Sequence, residues 1–226
     1  MPRFPNRTEA GRQLAARFRR RADLGDVVVL ALPRGGLPVA FEIAKALNAP
    51  LDVFLVRKLG VPGQEELAMG AVASGGVRVM NDDVLGYLNI SDGVIEDVVA
   101  QELRELERRE RAYRGGRPAA NVAGRTVIVV DDGLATGATM RAGVKALRGL
   151  GASRVIVAVP VAPREAYEEF QQEMDEIVCL STPSPFWAIG QWYEDFSQLT
   201  DEEVCDYLDR AAHLAGQGHV ADRAAG

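Results

Sequence analysis

The sequence predicts an α/β domain on a doubly wound, mainly parallel sheet, and three observations lead there. Short, almost wholly apolar runs alternate along the chain with segments of helical periodicity. Those runs lack the polar alternation of a half-exposed strand, so they need cover on both faces. The chain is 226 residues long with 47% hydrophobic residues, enough to build one core without disulfides or a structural metal.

The elements follow in order. Residues 27–32 (VVVLAL) read as a strand and 38–47 as a helix with apolar residues at helical spacing. A second strand covers 51–56, and 69–80 gives one or two strands broken at Gly75-Gly76. Residues 91–114 form a long charged helix whose thin stripe of Val94, Val98, Leu103 and Leu106 leaves most of its surface solvated. A strand at 126–130 is followed by a helix at 139–150 closed by Gly151. A strand at 155–161, a proline-opened helix at 163–174 and a last strand at 176–180 complete the series. The order implies a parallel sheet with right-handed crossovers. No linker composition divides the chain, so 1–212 is read as a single domain and 213–226 as a frayed tail.

Composition narrows the chemistry. The net charge of −6 argues against bulk attraction to nucleic acid or an anionic membrane. No 18-residue apolar run and no signal-type h-region occur, and cysteines are limited to Cys179 and Cys205, read as packing residues, so a cytoplasmic location is expected. The two histidines, His213 and His219, both fall near the end of the chain. That supply leaves carboxylates, backbone amides, hydroxyls and arginines to do any chemistry.

The most informative segment is TVIVVDDGLATGATMR, 126–141: an apolar strand, two acids, a loop of small residues, then a helix. Thr136, Gly137, Ala138 and Thr139 present successive backbone N–H groups where unpaired amides and the helix dipole favour a phosphate. Asp131 and Asp132 suit what adjoins a phosphate, accepting hydrogen bonds from sugar hydroxyls or binding hydrated Mg²⁺. Phosphate beside a vicinal diol points to a phosphorylated ribose. A P-loop fails for want of GK[ST], and a dinucleotide fingerprint fails for want of GxGxxG.

This segment resembles the phosphoribosyl-pyrophosphate motif of the type I phosphoribosyltransferases, closest to the adenine-type version, which also has Ala at the position of Ala135. The resemblance implies that Asp131 and Asp132 hold the ribose hydroxyls, directly or through Mg²⁺. It assigns Ala135, Thr136, Gly137, Ala138 and Thr139 to the 5′-phosphate. Pro33-Arg34-Gly35-Gly36, after the first strand, resembles the family's pyrophosphate loop, with Arg34, Gly35 and Gly36 as its binding residues; alone, the glycine pair also reads as a tight turn. Arg57-Lys58 and the polar run 59–67 resemble the mobile catalytic loop that neutralises pyrophosphate and excludes water. Glu65 or Glu66 in that run is a candidate acid/base, although such a pair is also ordinary solvated surface.

The segment 183–196, PSPFWAIGQWYEDF, holds both tryptophans and is either a core cluster or a hood over the site. By resemblance Phe186 or Trp187 stacks on the base, and Glu194 lies near the metal with Asp131 and Asp132. The implied hood combines 1–24 and 181–212 around a core of 25–180. The family further implies phosphoribosyl pyrophosphate and a small-molecule acceptor as partners, and a homodimer. Ala135 replaces an acid that serves as base elsewhere in the family, so no base is assigned. The alternative function is a non-catalytic regulator on the same fold that binds phosphoribosyl pyrophosphate or a nucleotide.

Overall fold

Burial on both faces of the central strands decides the architecture. In a computed structural model that describes residues 3–88 and 90–224, the chain runs α1 (Arg7–Ala15), β1 (Val27–Ala31), α2 (Gly36–Leu47), β2 (Leu51–Val53), β3 (Val56–Val61), β4 (Gln64–Ala73) and β5 (Val77–Met80). It continues through α3 (Asp82–Leu88), α4 (Asp92–Arg114), β6 (Thr126–Val130), α5 (Ala138–Gly149), β7 (Arg154–Val161), α6 (Arg164–Glu173), β8 (Glu176–Ser181) and α7 (Asp201–Ala224). Val29, Ala31, Ile128, Val130, Ile156 and Ala158 pack into one core with α1, α2, α4 and α7. Their neighbours Val28, Leu30, Val127, Val129, Val155 and Val157 enter a second core with α5 and α6. The period-2 alternation of a strand thus feeds two layers of helices.

The main sheet is parallel in the order β2-β1-β6-β7-β8. From β1 the chain crosses through α2 to β2 on one side, and from β6 it crosses through α5 to β7 on the other. The carboxyl ends of β1 and β6 therefore flank the point where winding reverses, the place where open α/β sheets bind ligands. Among the described residues no helix is long and apolar enough to cross a membrane.

Four expectations change. The second strand ends at Val53, and the chain leaves the main sheet after Phe54 and Leu55. The run 59–67, expected as a mobile loop, is instead the turn region of an antiparallel β3–β4 hairpin within a separate sheet, β3-β4-β5. Leu59, Val61 and Met69 are buried in the first core, and Pro62-Gly63 makes the turn, with Gly63 at φ +80°. In α4 the buried stripe is Val99, Leu106 and Tyr113, whereas Val94 is exposed. Finally, helical backbone runs from Asp201 to Ala224 as α7, where no helix was expected.

Polar burial ties the helical layer to the sheet. Arg114, at the end of α4, donates to both Asp52 carboxylate oxygens at 3.0 Å and to the Val53 carbonyl at 2.9 Å. Both side chains are about nine-tenths buried. Removing one partner strands a buried charge. Arg114→Met is expected to lower unfolding free energy by about 3 kcal/mol, read from chemical denaturation curves.

Candidate active site

Two loops leave the carboxyl ends of β1 and β6 and approach without room for a side chain. After β1, Leu32 N–H still donates to the Val130 carbonyl at 2.8 Å, and the chain turns at Pro33-Arg34 into α2. A Cβ on Gly36 would lie 2.5 Å from the Val130 oxygen and 2.9 Å from the Asp131 Cα. A Cβ on Gly35 would run into the Asp132 carboxylate, although Gly35 itself has an ordinary φ of −61°. Backbone leaves no room for a side chain at Gly36, and the Asp132 carboxylate fills the space beside Gly35, so the two loops run close together at the strand ends.

The two acids differ in their surroundings. Asp131 is half-buried, and its Oδ1 accepts the Asp132 N–H at 2.8 Å. Burial first, and the neighbouring Asp132 charge second, raise its pKa well above the usual carboxylate range. Asp132 is buried, and Arg7 Nε donates to its Oδ2 at 2.7 Å. Burial raises its pKa and Arg7 opposes the rise. Tyr193 Oη donates to the Asp132 carbonyl at 2.6 Å, which fastens the backbone of the same residue.

The next segment leads into an exposed helix N-terminus. Gly137 caps α5 with φ +76°, and a Cβ there would press on the Phe170 ring. Arg141 Nη1 donates to the Thr136 carbonyl at 2.8 Å, while Glu169 and Glu173 hold its other nitrogens. Ala135, Thr136, Ala138 and Thr139 are exposed, so the first-turn amides of α5 face outward beside two hydroxyls. A cavity of about 570 Å³ between this helix and the small sheet has Ala138, Thr139, Arg141 and Lys145 on one wall and Lys58 on the other.

The structure separates some predicted residues and joins others. Lys58 shares that cavity with the α5 N-terminus. Arg57, one residue away and on the opposite strand face, is ion-paired to Glu102 of α4. Glu65 turns back on the hairpin and accepts the Gly63 N–H at 3.3 Å; the Glu66 side chain lies outside the described residues. Phe186 stacks on Trp192, with ring centroids 6.2 Å apart, while Trp187 is 82% exposed. Glu194 donates its N–H to the Phe4 carbonyl, and its side chain is exposed. Among the described residues no three His, Cys, Asp or Glu side chains gather as a metal cluster, so Glu194 does not join Asp131 and Asp132.

The two segments expected to form a hood pack together at the end of β7. Phe4 pairs with Tyr193 in an isolated parallel bridge, and Phe4, Tyr193, Phe186, Ile189 and Trp192 pack with Val161 at the end of β7. Ile189 fills the space a Cβ on Gly133 would need. Cys179 is an inert packing thiol whose pKa burial pushes up to about 11.

Sequence reasoning missed Arg7, Tyr193 and Asp201. Asp201 opens α7, lies 3.7 Å from Arg34 Nη1 and accepts the Tyr113 hydroxyl at 2.8 Å. The Tyr113 pKa is pushed up to about 12 by burial and by that carboxylate. A local signal did mark α1, since Asn6 caps it by accepting the Glu9 N–H. Nothing local marked where its first residue would point.

Two outcomes follow from this geometry. Gly36→Ala is expected to lose about 1–3 kcal/mol in denaturant unfolding, because the obstructing atoms are backbone and cannot rotate away. For Asp131 the folded pKa lies above the unfolded one, so its contribution to stability is fully present at acidic pH and is lost as pH rises through the folded value. Asp131→Asn is therefore expected to melt above the parent protein at about pH 8, with the difference vanishing near about pH 3.

Residues 3–195 match the family model for the phosphoribosyl transferase domain. The chain is 48% identical over 225 residues to the Mycobacterium tuberculosis H37Rv protein named "Putative phosphoribosyl transferase Rv0571c". That alignment covers 100% of this chain and 51% of the relative, so the chain spans about half the length of the curated relatives it matches. It is similar to the crystal structure of TT1426 from Thermus thermophilus, with 45% identity, a TM-score of 0.80, and coverage of 91% of this chain and 97% of that one. With two closely spaced loops at the strand ends and a matched span this extensive, the chain belongs to the phosphoribosyl transferase domain family.

Proposed function

We propose that this chain is a Mg²⁺-dependent phosphoribosyltransferase that moves ribose 5-phosphate from phosphoribosyl pyrophosphate to a nitrogen acceptor, a nucleobase, with release of pyrophosphate. The observation that carries the reading is the meeting of two loops at β1 and β6, one glycine-lined and one leading into an exposed helix N-terminus, with Asp131 between them. The helix N-terminus at 135–139 takes the 5′-phosphate, and 34–36 with Lys58 takes the pyrophosphate. Asp131 accepts hydrogen bonds from the ribose hydroxyls.

In this reaction the C1′–O bond breaks with its electron pair leaving on pyrophosphate, the acceptor nitrogen's lone pair closes the new C1′–N bond, and the acceptor's N–H proton is lost to water or to the departing pyrophosphate. Positive charge develops on the ribose in between. The raised pKa of Asp131 reflects desolvation of a half-buried carboxylate whose nearest cation, Arg7, is bonded to its neighbour, and a cationic or diol ligand relieves that cost. One hard carboxylate suits Mg²⁺, which takes one or two protein carboxylates and fills its shell with substrate oxygens and water. When bound, Mg²⁺ supplies charge neutralisation on the departing pyrophosphate. The aromatic hood, with Phe186 and Trp187, offers the acceptor a stacking surface and limits water.

The test is pyrophosphate release from phosphoribosyl pyrophosphate with Mg²⁺ across purine and pyrimidine bases, with a no-base control. Release that depends on one base is expected, and Asp131→Asn is expected to abolish it in a folded protein. Tight Mg²⁺-dependent binding without release under any base assigns the chain to sensing rather than transfer. Absence of both binding and release overturns the phosphoribosyl reading.

A further inference from the structure

Adjacent acids at a strand end would ordinarily be expected to share a task, but here their partners divide them. Asp132 is reached from 125 residues away by Arg7, the first residue of α1. The pair is close to nine-tenths buried on both sides. Arg7 is itself held by three contacts that do not involve the acid. Its Nη1 donates to the Ser197 carbonyl at 2.8 Å, and its guanidinium lies 3.9 Å from the Phe196 ring centroid and 6.0 Å from that of Tyr193. The cation is therefore pre-placed by the hood, and the Asp132 carboxylate meets it while pressing on Gly35 of the first loop.

We propose that Arg7 is a positioning residue that holds Asp132 by one carboxylate oxygen and neutralises it beside the pyrophosphate loop. The inference rests on the phosphoribosyl reading and deepens it. An unpaired carboxylate against Gly35 would repel a polyanion at short range, in a setting where solvent screens little. The pairing also links hood and core. Phe4 N–H donates to the Trp192 carbonyl, and Glu194 and Asp195 donate back to Phe4 and Pro5. The 3–7 segment and the 186–197 segment thus meet the catalytic motif as one unit, with Arg7 as its charged contact.

Calorimetry with two probes, Mg²⁺-pyrophosphate and ribose 5-phosphate, tests the proposal on the parent protein, Arg7→Met, Asp132→Asn and the double variant, each shown folded by a cooperative melt. Arg7→Met is expected to weaken pyrophosphate binding about tenfold while ribose 5-phosphate changes less than about twofold. Adding Asp132→Asn to Arg7→Met is expected to recover the pyrophosphate affinity of Asp132→Asn alone, because no stranded charge remains. An equal loss for both probes, or no recovery in the double variant, overturns the proposal. Should the parent protein bind neither probe, the phosphoribosyl reading fails on its own. The pair is then judged from thermal midpoints without ligand, where rescue of Arg7→Met by Asp132→Asn supports neutralisation and additive losses overturn it.

Discussion

The rest of the structure depends on a distance too short for a side chain. Strands β1 and β6 lie side by side in register, and the loops that leave them stay close enough that Gly36 rests on the Val130 carbonyl and Gly35 on the Asp132 carboxylate. Close approach of backbone to backbone sets the width of the cleft before any ligand arrives. It fixes where α2 and α5 begin, and hence where their unpaired amides point. The two apolar cores then hold the strands rigid from above and below. A site assembled from loops is precise here because the strands beneath it cannot shift.

Charge inside the cleft is unevenly compensated. Asp132 is in direct contact with Arg7, whereas Asp131 accepts a backbone amide, carries the burden of its neighbour's charge and feels Arg7 only from a distance. The fold therefore keeps a carboxylate whose ionised form is costly at neutral pH, a local conflict of the kind that accompanies functional positions. Elsewhere the same carboxylate–guanidinium chemistry is structural, as in Arg114 with Asp52 and Arg21 with Asp23 and Glu176. What separates the acids is the identity of their neighbours and their depth.

Legibility in the sequence followed contact range. The strands, the two loops and the helix starts were written in contiguous residues, so apolar runs, Asp131-Asp132 and the glycines could be read directly. The hairpin was misread because LGVPGQEEL looks polar as a string, yet Leu59 and Val61 alternate toward the core around a Pro-Gly turn. That alternation also sends Arg57 to Glu102 and Lys58 to the α5 cavity, a split invisible while the pair is treated as loop. Arg7 was beyond reach altogether. Its partner is distant in sequence, and no local pattern tells an arginine at a helix start which buried acid the folded chain will bring to it.

The acid at the start of α7 gives the first loop a built-in competitor. Asp201 sits near Arg34 and is steadied by Tyr113, so the guanidinium already has a tethered anion for company. An anion bound at Arg34 would have to displace a carboxylate that loses no translational freedom by being there. A singly charged, well-hydrated ion such as chloride gains little from the exchange, while a multiply charged ligand that touches several donors at once gains at every contact. On the proposed reading of this loop, the contact would set a threshold on valence, favouring a multiply charged ligand over simple salts.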